Sequence, residues 1–92
     1  MEHHVVALAG GWTVSKSLFD AVERAVRSAL PALIPEATYK TENLVGPELW
    51  KTLSKAERLL AGRCLAQMVT QDVLPLAFAV CRHKVPKEYR RQ

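Results

Sequence analysis

The residues best suited to chemistry in this chain are the cations of its C-terminal half. Residues 51–92 carry nine Lys and Arg against three Asp and Glu, a balance of +6, whereas the whole chain carries +4. Such an excess favours an anionic partner, and nucleic acid is the commonest one. Because a pI near 9.4 is also frequent among domains that bind no polyanion, the positions of the cations matter more than their number.

Two groups of cations are candidates for contacts with duplex DNA. One group lies around the start of a predicted helix, and the other lies in and after the tip of a predicted hairpin. Flexible cations at such a tip suit phosphate contacts that position a protein without reading sequence. The candidate DNA-binding residues are Lys51, Lys55, Arg58 and Arg63 in the helical group, and Arg82, His83, Lys84, Lys87, Arg90 and Arg91 in the C-terminal group.

The helical cations do not form one narrow stripe. At about 100° per residue, Lys55, Arg58 and Arg63 span a wide arc, which argues against direct reading of base edges. Two alternatives stay open. The helical cations could solvate a partly buried helix and pair locally with Glu57, and the C-terminal cations could form a basic tail that keeps the chain soluble.

Residue types that serve catalysis or metal binding form no recognisable pattern. Cys64 and Cys81 make no C-x-x-C pair, and His83, two residues after Cys81, has no third group placed to orient its imidazole. His3 and His4 are adjacent side chains near a terminus, a weak arrangement for a metal. No phosphate-loop, dinucleotide, G-x-S-x-G or H-E-x-x-H motif occurs. We therefore expect a non-enzymatic protein without cofactor or metal.

The N-terminal third of the chain is predicted to form elements that pack the core. An apolar, β-branched run at residues 5–9 before Gly10–Gly11 predicts a strand and a two-residue hairpin turn, because glycine accepts positive φ. Apolar side chains then recur at helical spacing, which predicts an amphipathic helix over residues 17–30, capped by Ser17 and ended by Pro31. The two tryptophans, Trp12 and Trp50, are predicted core anchors.

The rest of the chain predicts strands around two helices. A short strand at 38–40 precedes a helix over 41–52, which Gly46–Pro47 interrupts. Ser54 and Glu57 have the spacing of a capping box, and they open a helix over 54–71. Alternating large and small side chains at 76–80 predict a strand, and residues 85–89 predict the strand that returns.

This order is that of a winged helix-turn-helix domain, in which the second helix of the pair enters the DNA major groove and a hairpin wing lies along the backbone. We expect one α+β domain over residues 1–92, mainly helical, with a winged-helix-like core at 37–92. Residues 1–36 are then an extension with a short strand or hairpin and an amphipathic helix. A chain of 92 residues, 49% of them apolar, suits one such core.

Residues 38–91 also resemble a group of small, functionally uncharacterised bacterial proteins with a winged-helix-like domain. The residues that carry the resemblance are Leu44-Val45-Gly46, Leu49-Trp50, Leu53-Ser54, Glu57-Arg58, Gly62-Arg63, Val73-Leu74-Pro75-Leu76 and Tyr89. The resemblance implies the fold more than the function, because winged helices also serve as protein–protein modules.

The sequence thus predicts a small cytoplasmic protein without a membrane span that binds double-stranded DNA, as a transcriptional regulator or accessory factor. A homodimer would suit it, since one module with few base contacts seldom gives high specificity. The alternative is a protein–protein module on the same winged-helix scaffold. It could be an adaptor, for which the apolar surface of the 17–30 helix is a candidate contact, or an accessory or inhibitor protein of a mobile element that sets its cations against an acidic groove of another protein. The DNA hypothesis requires that the cations converge on one accessible flank of the molecule.

Overall fold

A computed structural model describes residues 5–79 and 88–92, and it confirms an α+β fold with two small antiparallel sheets. Within those residues no helix is both long and apolar enough to cross a bilayer. The elements in chain order are β1 (Val5–Leu8), β2 (Trp12–Ser15), α1 (Lys16–Ala29), a 3-10 turn (Leu30–Ala32), β3 (Thr38–Lys40), α2 (Thr41–Val45), α3 (Pro47–Trp50), α4 (Lys55–Thr70), β4 (Leu76–Phe78) and β5 (Glu88–Arg91).

The predicted N-terminal hairpin is present, with a longer turn than predicted. Strands β1 and β2 pair antiparallel, and Leu8 opposes Trp12, so that three residues, 9–11, form the loop. This register places Val6 directly opposite Val14 on the face that packs against the core. A two-residue turn would shift the register by one position and move Val14 to the other face, which is why the longer loop is preferred.

The cap of helix α1 lies two residues earlier than predicted. Its cap is Ser15, whose Oγ accepts a hydrogen bond of 3.2 Å from the backbone N–H of Leu18, and Ser17 lies inside the first turn. The expected capping by Ser17 is therefore wrong. Asp20 forms an ion pair with Lys16, one turn earlier, in which the carboxylate lies 2.7 Å from Nζ.

The apolar stripe of α1 lies in the core. Val22 and Val26 have no exposed surface, and the helix packs against α2 and α4. Leu18, Phe19, Ala25 and Leu30 of the same stripe are half-buried and pack against the core. Most of the stripe over residues 17–30 therefore contacts the chain itself, which argues against the expectation that it serves as a partner surface. Burial of Val22 and Val26 contributes the usual hydrophobic stabilisation of about 1.5–3 kcal/mol each.

The predicted interruption at Gly46–Pro47 divides one helical stretch into α2 and α3. Gly46 has φ +91° and ψ 151°, a conformation that side-chain-bearing residues rarely adopt. At the start of α2 the backbone N–H of Lys40 donates to Oδ1 of Asn43 at 3.1 Å. The Asn43 side chain therefore satisfies a backbone donor at the start of α2.

Helix α4 begins where its capping box predicts. The backbone N–H of Ser54 donates to Oε1 of Glu57 at 2.9 Å, and the backbone N–H of Glu57 donates to Oγ of Ser54 at 3.1 Å. These reciprocal bonds satisfy two donors that a helix start leaves unpaired. The helix then contributes five buried side chains to the core: Ala61, Cys64, Leu65, Met68 and Val69.

The second sheet has the strand order β3-β5-β4, with antiparallel pairing throughout. Its central strand, β5, carries Tyr89, which is fully buried and whose ring lies 5.3 Å from that of Phe78. Strand β4 ends at Phe78, short of the predicted 76–80. Strand β5 extends to Arg91, beyond the predicted 85–89, and residues 80–87 lie outside the described part of the chain.

Two glycines allow a matched test of this backbone. Gly46→Ala is expected to lower the free energy of unfolding by about 1–3 kcal/mol, because alanine would be strained at that φ and ψ. Gly62→Ala, inside α4, is expected to raise it by up to about 1 kcal/mol, since a Cβ there would meet only Oγ1 of Thr41, at 3.8 Å. Urea denaturation of both variants measures the two effects, and equal effects would contradict this account of Gly46.

Candidate nucleic-acid interface

The side of α4 that faces away from the core is the surface on which the helical cations were expected to lie. At about 100° per residue, the five buried side chains of α4 occupy one side of the helix. The opposite side includes Lys55, Leu59, Arg63 and Thr70. We call these four residues the outer face of α4. This face combines two cations with an apolar side chain, since Leu59 is 54% exposed.

Lys51 and Lys55 lie exposed at the start of α4. Lys51 is in the turn after α3, and Lys55 is the first residue of the helix. Neither lysine forms an ion pair with any residue that the structure describes. The nearby carboxylate of Glu57 already accepts the hydrogen bond of the cap, so both ammonium groups are available to an external anion.

Arg58 does not lie on the outer face. Its Nε donates to the backbone oxygen of Trp50 at 3.2 Å, and its Cζ lies 5.2 Å from the centroid of the Trp50 ring. The guanidinium therefore ties α4 back to the end of α3, across the turn that joins them. This arrangement agrees with the alternative that some helical cations have a local structural role, although the partner is Trp50 and not Glu57.

Arg63 lies on the outer face, where it stacks on a tryptophan from the N-terminal hairpin. Its Cζ is 4.0 Å from the centroid of the Trp12 ring, a close cation–π contact. Trp12 is 40% exposed, so the prediction that it anchors the core is wrong, whereas Trp50 is half-buried and packs against the core. No sequence signal pairs Trp12 with Arg63, because 50 positions separate them.

A second contact holds the same hairpin against α4. Nε2 of Gln67 donates to the backbone oxygen of Ala7 at 3.1 Å, and Oε1 of Gln67 accepts from the backbone N–H of Ala9 at 2.8 Å. One amide side chain thus satisfies both a donor and an acceptor of β1 and its turn. Sequence reasoning missed Gln67, since an exposed-looking glutamine on a helix gives no sign of a distant strand.

The two arginines of β5, Arg90 and Arg91, lie on different faces of the second sheet. Arg90 is exposed and pairs with Thr38, while Arg91 is partly buried and pairs with Leu76. Because successive residues of a strand point to opposite faces of the sheet, only Arg90 lies on the solvent side. Nε of Arg91 is buried and has no hydrogen-bond partner among the described residues.

The remaining C-terminal candidates, Arg82, His83, Lys84 and Lys87, lie outside the described residues, as do Cys81, His3 and His4. Among residues 5–79 and 88–92, no group of three His, Cys, Asp or Glu side chains is placed to hold a metal ion.

An open groove of about 600 Å³ lies beside the start of α2. It is lined by Thr38, Tyr39, Glu42, Asn43, Pro47 and Trp50. Its single charged lining residue, Glu42, is acidic and would repel a phosphate group. The groove is therefore acidic, in contrast to the cationic outer face of α4, and it does not suit a nucleic acid.

Two buried groups of the core, the thiol of Cys64 on α4 and the hydroxyl of Tyr89 on β5, are held neutral. Burial raises the pKa of the Cys64 thiol to about 11, and burial also raises the pKa of Tyr89 above its ordinary value. The Tyr89 hydroxyl has no hydrogen-bond partner among the described residues. Cys64 therefore acts as a small apolar side chain beneath the outer face, because its thiolate is disfavoured at neutral pH.

The raised pKa of Cys64 predicts a loss of stability at alkaline pH. The thiol ionises near its ordinary pKa of 9.0 in the unfolded chain and near 11 in the folded chain, so the unfolded state loses its proton first. The stabilising contribution is complete below pH 9 and disappears as the pH rises from 9 to 11.

We expect Cys64→Ala to flatten this decline in the free energy of unfolding, measured by urea denaturation at each pH. Tyr89→Phe is the control, since it should affect only the decline above about pH 10. An unchanged decline in Cys64→Ala would contradict the assignment.

Comparison of the chain with protein-family models, with curated proteins and with solved structures finds no match.

Proposed function

We propose that this protein is a winged-helix domain that binds duplex DNA, chiefly through the phosphate backbone. The order of elements supports the proposal. Strand β3 precedes the helical pair formed by α2–α3 and α4, and β4 and β5 follow as an antiparallel pair with β5 between β3 and β4. In a winged helix the second helix of the pair, here α4, is the one that approaches the major groove.

The observation that carries the proposal is the presence of two cations on the outer face of α4. Lys55 and Arg63 lie there, the exposed Lys51 precedes them, and Glu57 is turned aside into the cap. Arg58 drops out of the proposed contact set because it is bound to Trp50. Few side chains remain to read bases, so contacts to phosphate would supply most of the affinity. Such a protein suits an accessory factor or a regulator that gains specificity as a homodimer.

Binding to a mixed-sequence duplex should weaken steeply as salt rises. We expect the slope of log K against log salt to be about −0.9 for each phosphate neutralised. The double variant Lys51→Ala/Lys55→Ala should reduce the steepness by about 0.9 for each lysine that neutralises a phosphate in the wild type. Fluorescence anisotropy of a labelled duplex of about 20 base pairs, titrated between about 50 and 200 mM salt, measures both quantities.

The matched control is Arg24→Ala, which removes one positive charge from an exposed position on α1 that forms no ion pair with any described residue. It is compared with the single variants Lys51→Ala and Lys55→Ala, and it should leave the slope close to that of the wild type because Arg24 lies on another element. Absence of wild-type binding at low salt would refute the proposal, and single lysine variants that behave like Arg24→Ala would refute the choice of Lys51 and Lys55.

A protein–protein module is the second candidate, and one observation favours it. Leu59 lies exposed in the middle of the outer face, and Trp12 lies exposed beside Arg63, one helical turn further along. Neighbouring apolar side chains of this size are typical of the centre of a protein interface. The face could therefore pack against its counterpart in a second copy of the chain.

If the outer face forms a dimer, Leu59→Glu should abolish it, since a carboxylate would be buried without a partner. We expect the wild type to shift from monomer to dimer as concentration rises in sedimentation equilibrium, and the variant to stay monomeric. Ile34→Glu is the control, because Ile34 is 64% exposed in the segment that precedes β3. A wild type that is monomeric at every concentration would rule out self-association through this face.

A further inference from the structure

We infer that Arg63, stacked on Trp12, forms a preorganised site for one phosphate group of a phosphodiester backbone, and that Trp12 is the residue that positions it. The inference rests on the proposed function, in that duplex DNA supplies the phosphate. It adds a specific contact and assigns a role to the N-terminal hairpin, which lies outside the predicted winged-helix core.

The position of the Trp12 ring follows from the turn that precedes it. Gly10 and Gly11 both have positive φ, +84° and +82°, which lets the three-residue loop reverse the chain. A Cβ added at Gly10 would lie 3.4 Å from Cδ1 of Trp12, so the ring folds back over a residue that has no side chain. The indole is thus supported on one side by the backbone of its own turn.

The hairpin is held on α4 next to Arg63. Gln67 lies one helical turn after Arg63, and its two hydrogen bonds to Ala7 and Ala9 fix the strand that pairs with β2. Leu8 and Val14 anchor the same hairpin in the core. The ring of Trp12 is therefore presented to Arg63 by a rigid element, and not by a loose terminus.

The contact with Trp12 leaves the two terminal Nη groups of Arg63 as the donors that a phosphate could reach, because Nε is buried. A ring that contacts the face of the guanidinium does not use the N–H groups, which point outward in the guanidinium plane. Arg63 makes no ion pair and no side-chain hydrogen bond with any described residue, and its buried Nε has no partner there. Arg58 shows the contrast, because its Nε is already occupied by the oxygen of Trp50.

The anionic group of duplex DNA is the backbone phosphate, and its geometry suits these donors. The planar fork of arginine matches two oxygens of one phosphate, and a stacked side chain has already lost much of its rotamer freedom before binding. The hairpin residues 5–15 include no charged side chain, so no acid on that element competes for the guanidinium. Lys55, two turns earlier on the same face, adds a second positive charge.

The test is a set of variants assayed with the same labelled duplex. Arg63→Ala should weaken binding about tenfold and reduce the salt slope by about 0.9, because one charged hydrogen-bonding partner of a phosphate is removed. Arg63→Lys should restore little of the affinity, since lysine keeps the charge and lacks the fork. Arg24→Ala is the matched control, as it removes an arginine exposed on α1, and its effect should stay within about twofold.

The role of Trp12 is tested by a double-mutant cycle. Trp12→Leu should weaken binding when Arg63 is present and have no further effect in Trp12→Leu/Arg63→Ala, because Trp12 acts only through Arg63. Trp12→Phe should bind with intermediate affinity, since phenylalanine offers a weaker cation–π partner. Thermal unfolding of each variant identifies any that fail to fold, and Trp12→Phe then carries the test.

The outcomes separate this inference from the proposed function. If wild-type protein does not bind the duplex at low salt, the proposed function fails and the phosphate site fails with it. If the wild type binds and Arg63→Ala behaves like Arg24→Ala, the proposed function stands and the site is refuted. Additive effects of the Trp12 and Arg63 substitutions would overturn the positioning role alone.

Discussion

The reciprocal hydrogen bonds between Ser54 and Glu57 determine where α4 begins, and the arrangement of the molecule depends on that helix. Once the start is set, the helical period decides which side chains face inward, and five of them enter the core. α1, α2, β1 and β4 all contact α4.

Two arginines of α4 each make a cation–π contact with a tryptophan, and the two contacts have different roles. Arg58 contacts Trp50 through both its charge and its Nε, and this closes the turn between neighbouring helices. Arg63 lies over the Trp12 ring, with Cζ 4.0 Å from the ring centroid, and its side chain makes no hydrogen bond with any described residue. The two contacts differ in that Nε of Arg58 reaches the backbone oxygen of Trp50, whereas Nε of Arg63 has no hydrogen-bond partner among the described residues.

The central strand of the second sheet shows how a core constraint separates adjacent charges. Tyr89 is buried between β3 and β4, which forces its neighbours Glu88 and Arg90 to the solvent side of the sheet. Arg91 returns to the inner side, where it is partly buried. Arg90 and Arg91, which are adjacent in sequence, therefore lie on different faces of the sheet, and the outer face of α4 is the better-supported candidate surface among the described residues.

Local signals in the sequence determined much of the fold. The Ser54 and Glu57 cap, the break at Gly46–Pro47, the apolar stripe of α1 and the N-terminal hairpin were all predictable, because each rests on residues within a few positions of one another. Only the tertiary structure decided which cations are free. The partners of Arg58 and Arg63 depend on helix packing and on a hairpin about 50 residues away, and the length of that hairpin's loop depends on which face of β2 the core can bury. Such contacts are set by the assembled core, so spacing along the chain does not encode them.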